Sequence, residues 1–455
     1  MLGLSERGRT YALFTIVVLI TACGALSQTS MNAMLSGVEA DFGVDANVGQ
    51  WLTTSYMLML GITVPSVTYL SKRFSIFQLV MAALALFLAA SVIARLAPCF
   101  AVLLCSRILQ AIATGITMPL LQTIAMTRFP DNLHGTAMGI SGIALGFAPN
   151  LGPFVGGMLV DSLGWRSFYV FLIVYALVLF AATLLLVERD PAPAVSAHLN
   201  VVSLALSTLG FGGLLLGFTN ASSMSLASPP VWGPAVVGAV CLAWFVVHQK
   251  RSARPLIDMR IFSSARYRIS YVAQNFLFAS FMGITLIVPL YVEGLCGGTA
   301  LAAGMAFLPN TVCALFVNPL AGALSDRFGA RPVVTVASAF LFVGALAMAT
   351  MNASTPIRAV ALLQMVRGLG VSALIGPLNS WGLKGLQHEI TMDGSAFFVA
   401  SRQACAALGT AIMVLIITAV SATALPAALA YQLAFGFSAC CALVVLVTAA
   451  WKVRG

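Results

Sequence analysis

The chain has 455 residues, 60% of them hydrophobic and only 8% charged, with a mean hydropathy of +1.00. Soluble globular chains are about 25% charged and about 45–50% apolar, so this composition excludes a soluble enzyme or binding module and describes a polytopic membrane protein. The formal net charge of +10 does not argue for nucleic acid, because basic residues in a membrane chain gather in short loops on one side as a topological signal.

A spanning helix needs about 20 mostly apolar residues. In chain order, fourteen such runs are predicted, at 11 to 35, 50 to 70, 76 to 97, 99 to 127, 135 to 160, 166 to 187, 201 to 220, 231 to 248, 268 to 293, 299 to 323, 332 to 351, 357 to 381, 394 to 420 and 428 to 450. The first continues past Cys23, which argues for a retained helix rather than a leader cleaved there. An even number of spans puts both termini on one side. With the termini cytoplasmic, that side collects 17 of the 23 basic residues, the outer side holds only Arg95, Arg166 and Arg358, and Arg107, Arg367 and Arg402 fall inside runs. The nine cysteines lie mostly within apolar runs without metal-ligand spacing, so no metal site or cofactor is expected.

An internal repeat is visible. "YLSKRFS" (69 to 75) after the second run returns as "ALSDRFG" (323 to 329) after the tenth, and Arg107 is answered by Arg367. This divides the chain into a six-helix bundle at 1–190, two additional helices with a basic linker at 191–264, and a second six-helix bundle at 265–455. Parallel repeats of this kind are a transporter architecture, with the substrate site near the midplane between the halves.

The stretch "GFAPNLGPFVGGML" in the fifth run combines Gly146, Pro149, Gly152, Pro153, Gly156 and Gly157. Small residues let helix backbones approach closely, and proline disturbs the helix it sits in. With "GALSDRFGARP" (Gly322, Asp326, Arg327, Gly329, Arg331) and "RILQAIATG" (Arg107, Gln110, Gly115), these stretches resemble three motifs of the fourteen-helix drug/proton antiporters of the major facilitator superfamily. The resemblance covers essentially the whole chain. It implies the all-α major facilitator fold, with two six-helix bundles and two extra central helices. It also implies multidrug efflux by a secondary transporter of the bacterial inner membrane, coupling to a proton gradient, and no enzymatic activity. The cytoplasmic loop motif implies a gate. Its first-half copy carries Lys72 where the acid would stand and Ser75 where the glycine would, so a gate there needs other partners.

The family's first-helix signature matches "LSQTSMNAMLSGVEADFG" (26 to 43), except that Ser27 stands where an acid is common. A membrane-buried carboxylate is the natural proton carrier, since desolvation raises its pKa toward the working range. Of the thirteen acids, only Asp161 and Glu293 touch the predicted spans, both near the outer face, and Glu293 is the better candidate to titrate. Arg107, about 12 Å deep at 1.5 Å per residue, and Arg367 and Arg402 are candidate charges of the transport path. The four histidines, His134, His198, His248 and His388, are expected in solvent at the cytoplasmic ends.

Candidate cavity residues are the polar and aromatic groups within apolar runs: Ser27, Gln28, Thr29, Asn32, Trp51, Tyr56, Gln110, Gln122 and Asn150 in the first half, and Gln274, Asn275, Asn310, Asn318, Gln364, Asn379 and Trp381 in the second. Together they suit a large, mostly apolar pocket for amphipathic molecules. With basic groups and few acids in the core, neutral or anionic substrates are expected over organic cations. The alternative of the same fold is a transporter of lipid or lysolipid. The partners are the small-molecule substrate and the lipid bilayer, with a periplasmic adaptor and outer-membrane channel left open. An intramembrane enzyme would need clustered acid, histidine or Ser/Lys groups, and a nucleotide-driven pump a phosphate-binding loop; the sequence offers neither.

Overall fold

A computed structural model describes residues 6–189, 200–223, 228–252, 255–298, 300–421 and 425–453, which are helical throughout with no strand among them. Fourteen long helices follow one another: α1 (Glu6–Phe42), α2 (Trp51–Arg73), α3 (Ile76–Leu96), α4 (Phe100–Thr127), α5 (His134–Gly142, continued by Ile143–Phe147 and Ala148–Leu163), α6 (Trp165–Leu186), α7 (Val201–Ser223) and α8 (Pro229–Arg251) in the first stretch. After them come α9 (Ala265–Leu290, extended by Tyr291–Leu295), α10 (Ala300–Phe328), α11 (Ala330–Met348), α12 (Ile357–Leu383), α13 (Thr391–Ser421) and α14 (Ala427–Lys452). Thirteen of them are long and apolar enough to cross a membrane. The other, α2, has the length but carries Thr53, Thr54, Ser55, Tyr56, Thr63, Ser66 and Thr68, and it packs between neighbouring helices.

Several helices outrun their apolar sequences. α1 continues to Phe42, α10 carries Asp326 to its last turn, and α13 begins at Thr391, ahead of Asp393. Hydropathy ends where lipid ends; the backbone hydrogen-bond ladder continues while side chains can be solvated or paired. Two wide π turns, Ile143–Phe147 and Tyr291–Leu295, interrupt α5 and α9. Pro149, two residues past the first, lacks the N–H that a regular ladder would bring to that turn and crowds it.

The connections between repeated helices differ in a way the side chains explain. Between α10 and α11 the turn is made by Gly329 at φ +83°, a conformation that favours glycine. Between α2 and α3, Ser75 stays extended and caps instead: its Oγ accepts from the Gln78 N–H at 3.2 Å, and Gln78 Oε1 accepts from the Ser75 N–H at 3.0 Å. Ser75 therefore needs no left-handed backbone where the other copy has glycine.

The helices alternate in direction. One face gathers the start of α1 and the end of α6 (Arg9 with Glu188, 2.5 Å), the end of α2 with the start of α13, and the end of α12 with the start of α5. This is the basic face. On the opposite face, Arg166 pairs with Asp41 and also donates to the Ala97 carbonyl at 3.3 Å, joining α6, α1 and the end of α3.

Helices α1–α6 pack together as one group and α9–α14 as another, in matching pairs: α1 with α5 as α9 with α13, α3 with α6 as α11 with α14. α1 and α9 are the central members, with 67% of their most apolar windows buried, against 22% for α8 at the rim. α7 and α8 lie on each other, and α7 leans on α2 and α13. The two groups meet through α5 against α10 and α12, and through α13 against α2 and α4. The α5 segment His134–Gly142 runs along α10, whereas Ala148–Leu163 barely touches it. The groups are thus joined at the basic face and part toward the opposite face.

Candidate functional site

The polar stretch of α1 folds inward at Ser27. Ser27 is fully buried, and its Oγ accepts a hydrogen bond from Arg107 Nη1 on α4 at 2.9 Å. Arg107 Nη1 also donates to Gln110 Oε1 at 3.0 Å, and Gln110 Nε2 donates to Ser91 Oγ at 3.0 Å. The Tyr56 ring lies 4.4 Å under the guanidinium, while its hydroxyl donates to the Gly24 carbonyl at 2.8 Å and meets Thr114 Oγ1 at 2.6 Å. Four helices thereby hold one buried cation with neutral dipoles and a π face.

The next residues of α1 serve the α1–α5 crossing. Ser30 Oγ donates to the Leu26 and Gly152 carbonyls at 2.7 and 2.8 Å. A Cβ on Gly152 would stand 2.0 Å from Thr29 Oγ1, and one on Gly156 would stand 3.0 Å from the Ser30 carbonyl oxygen, so both glycines are required by close approach. Gly146 instead faces Ile375 of α12, and Gly157 faces open space. Asn32 is exposed beyond this crossing and accepts from Thr53 at 3.3 Å. Asn150 Nδ2 donates to the Gly146 carbonyl at 2.9 Å.

The second half holds two more buried cations. Arg367 on α12 donates from Nε to Gln364 Oε1 at 3.1 Å, and both its terminal nitrogens lack a partner among the described residues. Arg402 on α13 lies 4.7 Å over the Phe278 ring, with Nη1 unpartnered. Asn310, Gln274, Asn275, Asn318, Asn379 and, in the first half, Gln122 are buried amides with at least one unpaired polar atom. Gln28 and Trp381 are also buried. Trp51, by contrast, opens α2 with 42% of its surface exposed. Glu293 sits exposed on the π turn that ends α9. Asp161 lies in α5, but its side chain is outside the described residues.

Two closures seal the basic face. In the first, Asp326 at the end of α10 receives the backbone N–H groups of Gly135 and Thr136 at 2.7 and 2.6 Å, plus the Thr136 hydroxyl at 2.7 Å. This is a carboxylate seated on the first turn of α5, where free N–H groups and the helix dipole favour a negative charge. Backbone contact supports it: a Cβ on Gly322 would come within 2.2 Å of the Gly135 carbonyl oxygen, and one on Gly139 within 2.5 Å of that of Asn318. Lys384 from α12 stands 3.9 Å from Asp326 and donates to the Asp131 carbonyl at 3.0 Å. Arg327 packs against Phe328, and Arg331 reaches the Ala450 carbonyl at 3.4 Å, so both lie beside the closure without entering it.

In the second closure the charges are exchanged. Lys72, at the end of α2, faces Asp393 on the first turn of α13 at 3.8 Å, and Asp393 also accepts the Asp258 N–H from the linker at 3.0 Å. The repeat explains the pairing, because "HGTA" (134 to 137) at the start of α5 corresponds to "DGSA" (393 to 396) at the start of α13. Where α10 offers an acid, the start of α5 has a histidine and no acid to oppose it; where α2 offers a base, α13 supplies the acid.

Two expectations need correction here. Asp393, expected in a solvated cytoplasmic segment, is only 1% exposed, because α13 begins before its apolar run and turns this residue into the seam. His134 is likewise buried rather than solvated, its Nε2 2.9 Å from the Phe129 carbonyl oxygen. The signal for both was the aligned start of α5 and α13, which a search for acids inside apolar runs passes over.

The sequence profile of the Major Facilitator Superfamily matches residues 17–410. The chain is 33% identical over 88% of its length to the MFS-type transporter YcnB of Bacillus subtilis, covering 85% of that protein. It is 31% identical over 91% of its length to the lincomycin resistance protein LmrB of the same organism, covering 87% of it. Among solved structures it superposes on the human organic anion transporter MFSD10 with a TM-score of 0.67 at 15% identity, over 96% of this chain and 99% of the other.

Proposed function

The chain belongs to the major facilitator superfamily, a family of transporters and not of enzymes, and on that premise we propose that it exports amphipathic or drug-like small molecules across the bacterial inner membrane by alternating access. The observation that carries this reading is the asymmetric seam: two equivalent helix groups are latched by Asp326 and Lys72–Asp393 at the basic face and diverge toward the other. A seam of this kind has a natural second state in which those latches open and the far ends close. The basic face is then cytoplasmic, as the excess of Lys and Arg requires. The relationship to a lincomycin resistance protein supports export of a bulky organic compound. Buried Arg107, Arg367 and Arg402, with no carboxylate paired to them among the described residues, favour neutral or anionic cargo.

The test is flux in proteoliposomes for a panel of neutral, anionic and cationic amphiphiles, with and without a pH gradient. Saturable, gradient-driven transport of neutral or anionic compounds is the expected outcome. Cation efflux that exceeds anion efflux and persists with unchanged affinity in Arg107→Ala would overturn the charge preference.

A second reading, movement of lipid or lysolipid, draws on one feature. An apolar groove of about 500 Å³ lies between α10 and α12, lined by Met305, Leu308, Val312 and Met365 and headed by Arg358. Transport of labelled lysolipid in place of dye would favour it.

A further inference from the structure

A second cavity, of about 370 Å³, opens on the basic face where the two helix groups meet. The first half contributes Asp131 and His134, and the second contributes Arg266 from the start of α9, Lys384 from the end of α12, and His388. Its size is within the range of small-molecule sites, about 300–1,000 Å³. We infer that this cavity binds a phosphate-bearing anion and holds the transporter closed at this face.

Charge is the first argument. Two permanent cations and two imidazoles line the cavity with one carboxylate, Asp131, whose side chain is fully exposed; a second, Asp326, stands 3.9 Å from Lys384 beyond the lining and is already held by the Gly135 and Thr136 N–H groups and the Thr136 hydroxyl. Arg266 forms no ion pair among the described residues, so its planar set of donors is free for an anion. Lys384 spends one donor on the Asp131 carbonyl and keeps others available.

Burial is the second argument. Loose basic residues are ordinary on a cytoplasmic face, but His134 is 94% buried, and its Nδ1 has no partner among the described residues. With Nε2 donating to the Phe129 carbonyl, Nδ1 is left as an acceptor for the hydrogen carried near neutral pH by pyrophosphate or by the monoanionic form of a phosphate monoester. A site so composed offers both a cationic clamp and one acceptor, which matches a partly protonated phosphate better than a carboxylate or a halide.

Location is the third argument. The lining comes from both helix groups, and it surrounds Lys384, which also stands beside the Asp326 closure. Opening the basic face would pull Asp131 and His134 away from Arg266 and His388. A ligand that needs all of them binds only the closed state and shifts the population toward it. The phosphate can arrive in solution, on a nucleotide or pyrophosphate, or as a lipid headgroup.

The full-length protein in detergent micelles is titrated with inorganic pyrophosphate, and separately with dihexanoyl phosphatidic acid, at constant ionic strength. Calorimetry reads binding, and hydrogen exchange of residues 131–137 reads closure. Saturable binding with slowed exchange is expected. Arg266→Gln with His388→Gln, both exposed and outside the two closures, should weaken it about tenfold or more. Tighter binding of the lipid assigns the headgroup as the source, and binding of pyrophosphate alone assigns a soluble phosphate. Affinity that follows ionic strength only, or that is unchanged in the double variant, would overturn the site. Neither readout depends on which compounds are transported, so failure of the export reading would leave this result standing.

Discussion

Arg107 and Arg367 place the same guanidinium in two differently furnished surroundings. Arg107 is met by Ser27, Gln110, the Leu52 carbonyl and the Tyr56 ring, whereas among the described residues Arg367 has Gln364 alone. Burying a charge without enough partners is costly, and an apolar residue of similar length is often neutral or stabilising in its place. Arg367→Met is therefore expected to raise stability by about 1–3 kcal/mol while reducing transport of anionic compounds; a lowered unfolding temperature in detergent would show that the cation has partners on the fold's behalf. Ser27 yields a second expectation. Its Oγ is 2.9 Å from Arg107, so a carboxylate introduced there is neutralised at once. Ser27→Asp alone should leave cation efflux near its starting level, and Ser27→Asp with Arg107→Gln should raise it several-fold. Equal efflux from the single and double variants would show that Arg107 does not govern position 27. The sequence marked Ser27, Arg107 and Gln110 as unusual, but not that they touch: 80 residues separate Ser27 from Arg107, and periodicity carries no information across helices.

At the scale of the helices, the two closures of the basic face are related by the repeat yet opposite in sign. Asp326 binds a helix start through its N–H groups, and Lys72 binds a helix start through that helix's own acid. The loop copy with lysine was readable as a departure from the motif; its partner was not, because Asp393 precedes the apolar run and looks solvated from hydropathy. Lys72→Asp sets two acids facing and should open the basic face, as faster hydrogen exchange at the start of α13. Lys72→Asp with Asp393→Lys should restore the protection at least in part. A double variant no better than the worse single one would mean that the pair does not act as a closure. The α5–α10 crossing offers an independent lever. Because Gly322 lies against the Gly135 carbonyl, Gly322→Ala should disfavour the closed basic face by about 1–3 kcal/mol, read as a shift in spin-label distances across that face. Unchanged distances would show that the crossing can slide without cost.

For the molecule as a whole, the spans and their alternation were legible because lipid imposes one simple rule on composition, and α2 shows its limit: a helix enclosed by others can be polar. The seam was not legible, since it depends on backbone approach at glycines and on which helix ends diverge. That seam also decides how a proton could be coupled to movement. A coupling group has to exchange solvent on one side for burial, or for the other side, as the molecule changes state. Glu293 is exposed at the far face, and no described residue covers it. Asp393 is buried at the closed basic face, and departure of Lys72 would expose it to solvent there, which is the change of surroundings a coupling group needs. Asp393→Asn is accordingly expected to abolish transport driven by an imposed pH gradient while preserving substrate counterflow, which needs no net proton. Glu293→Gln should retain gradient-driven flux. The reverse pattern in proteoliposomes, coupling lost in Glu293→Gln and kept in Asp393→Asn, would return the role to the far face and leave Asp393 as a latch only.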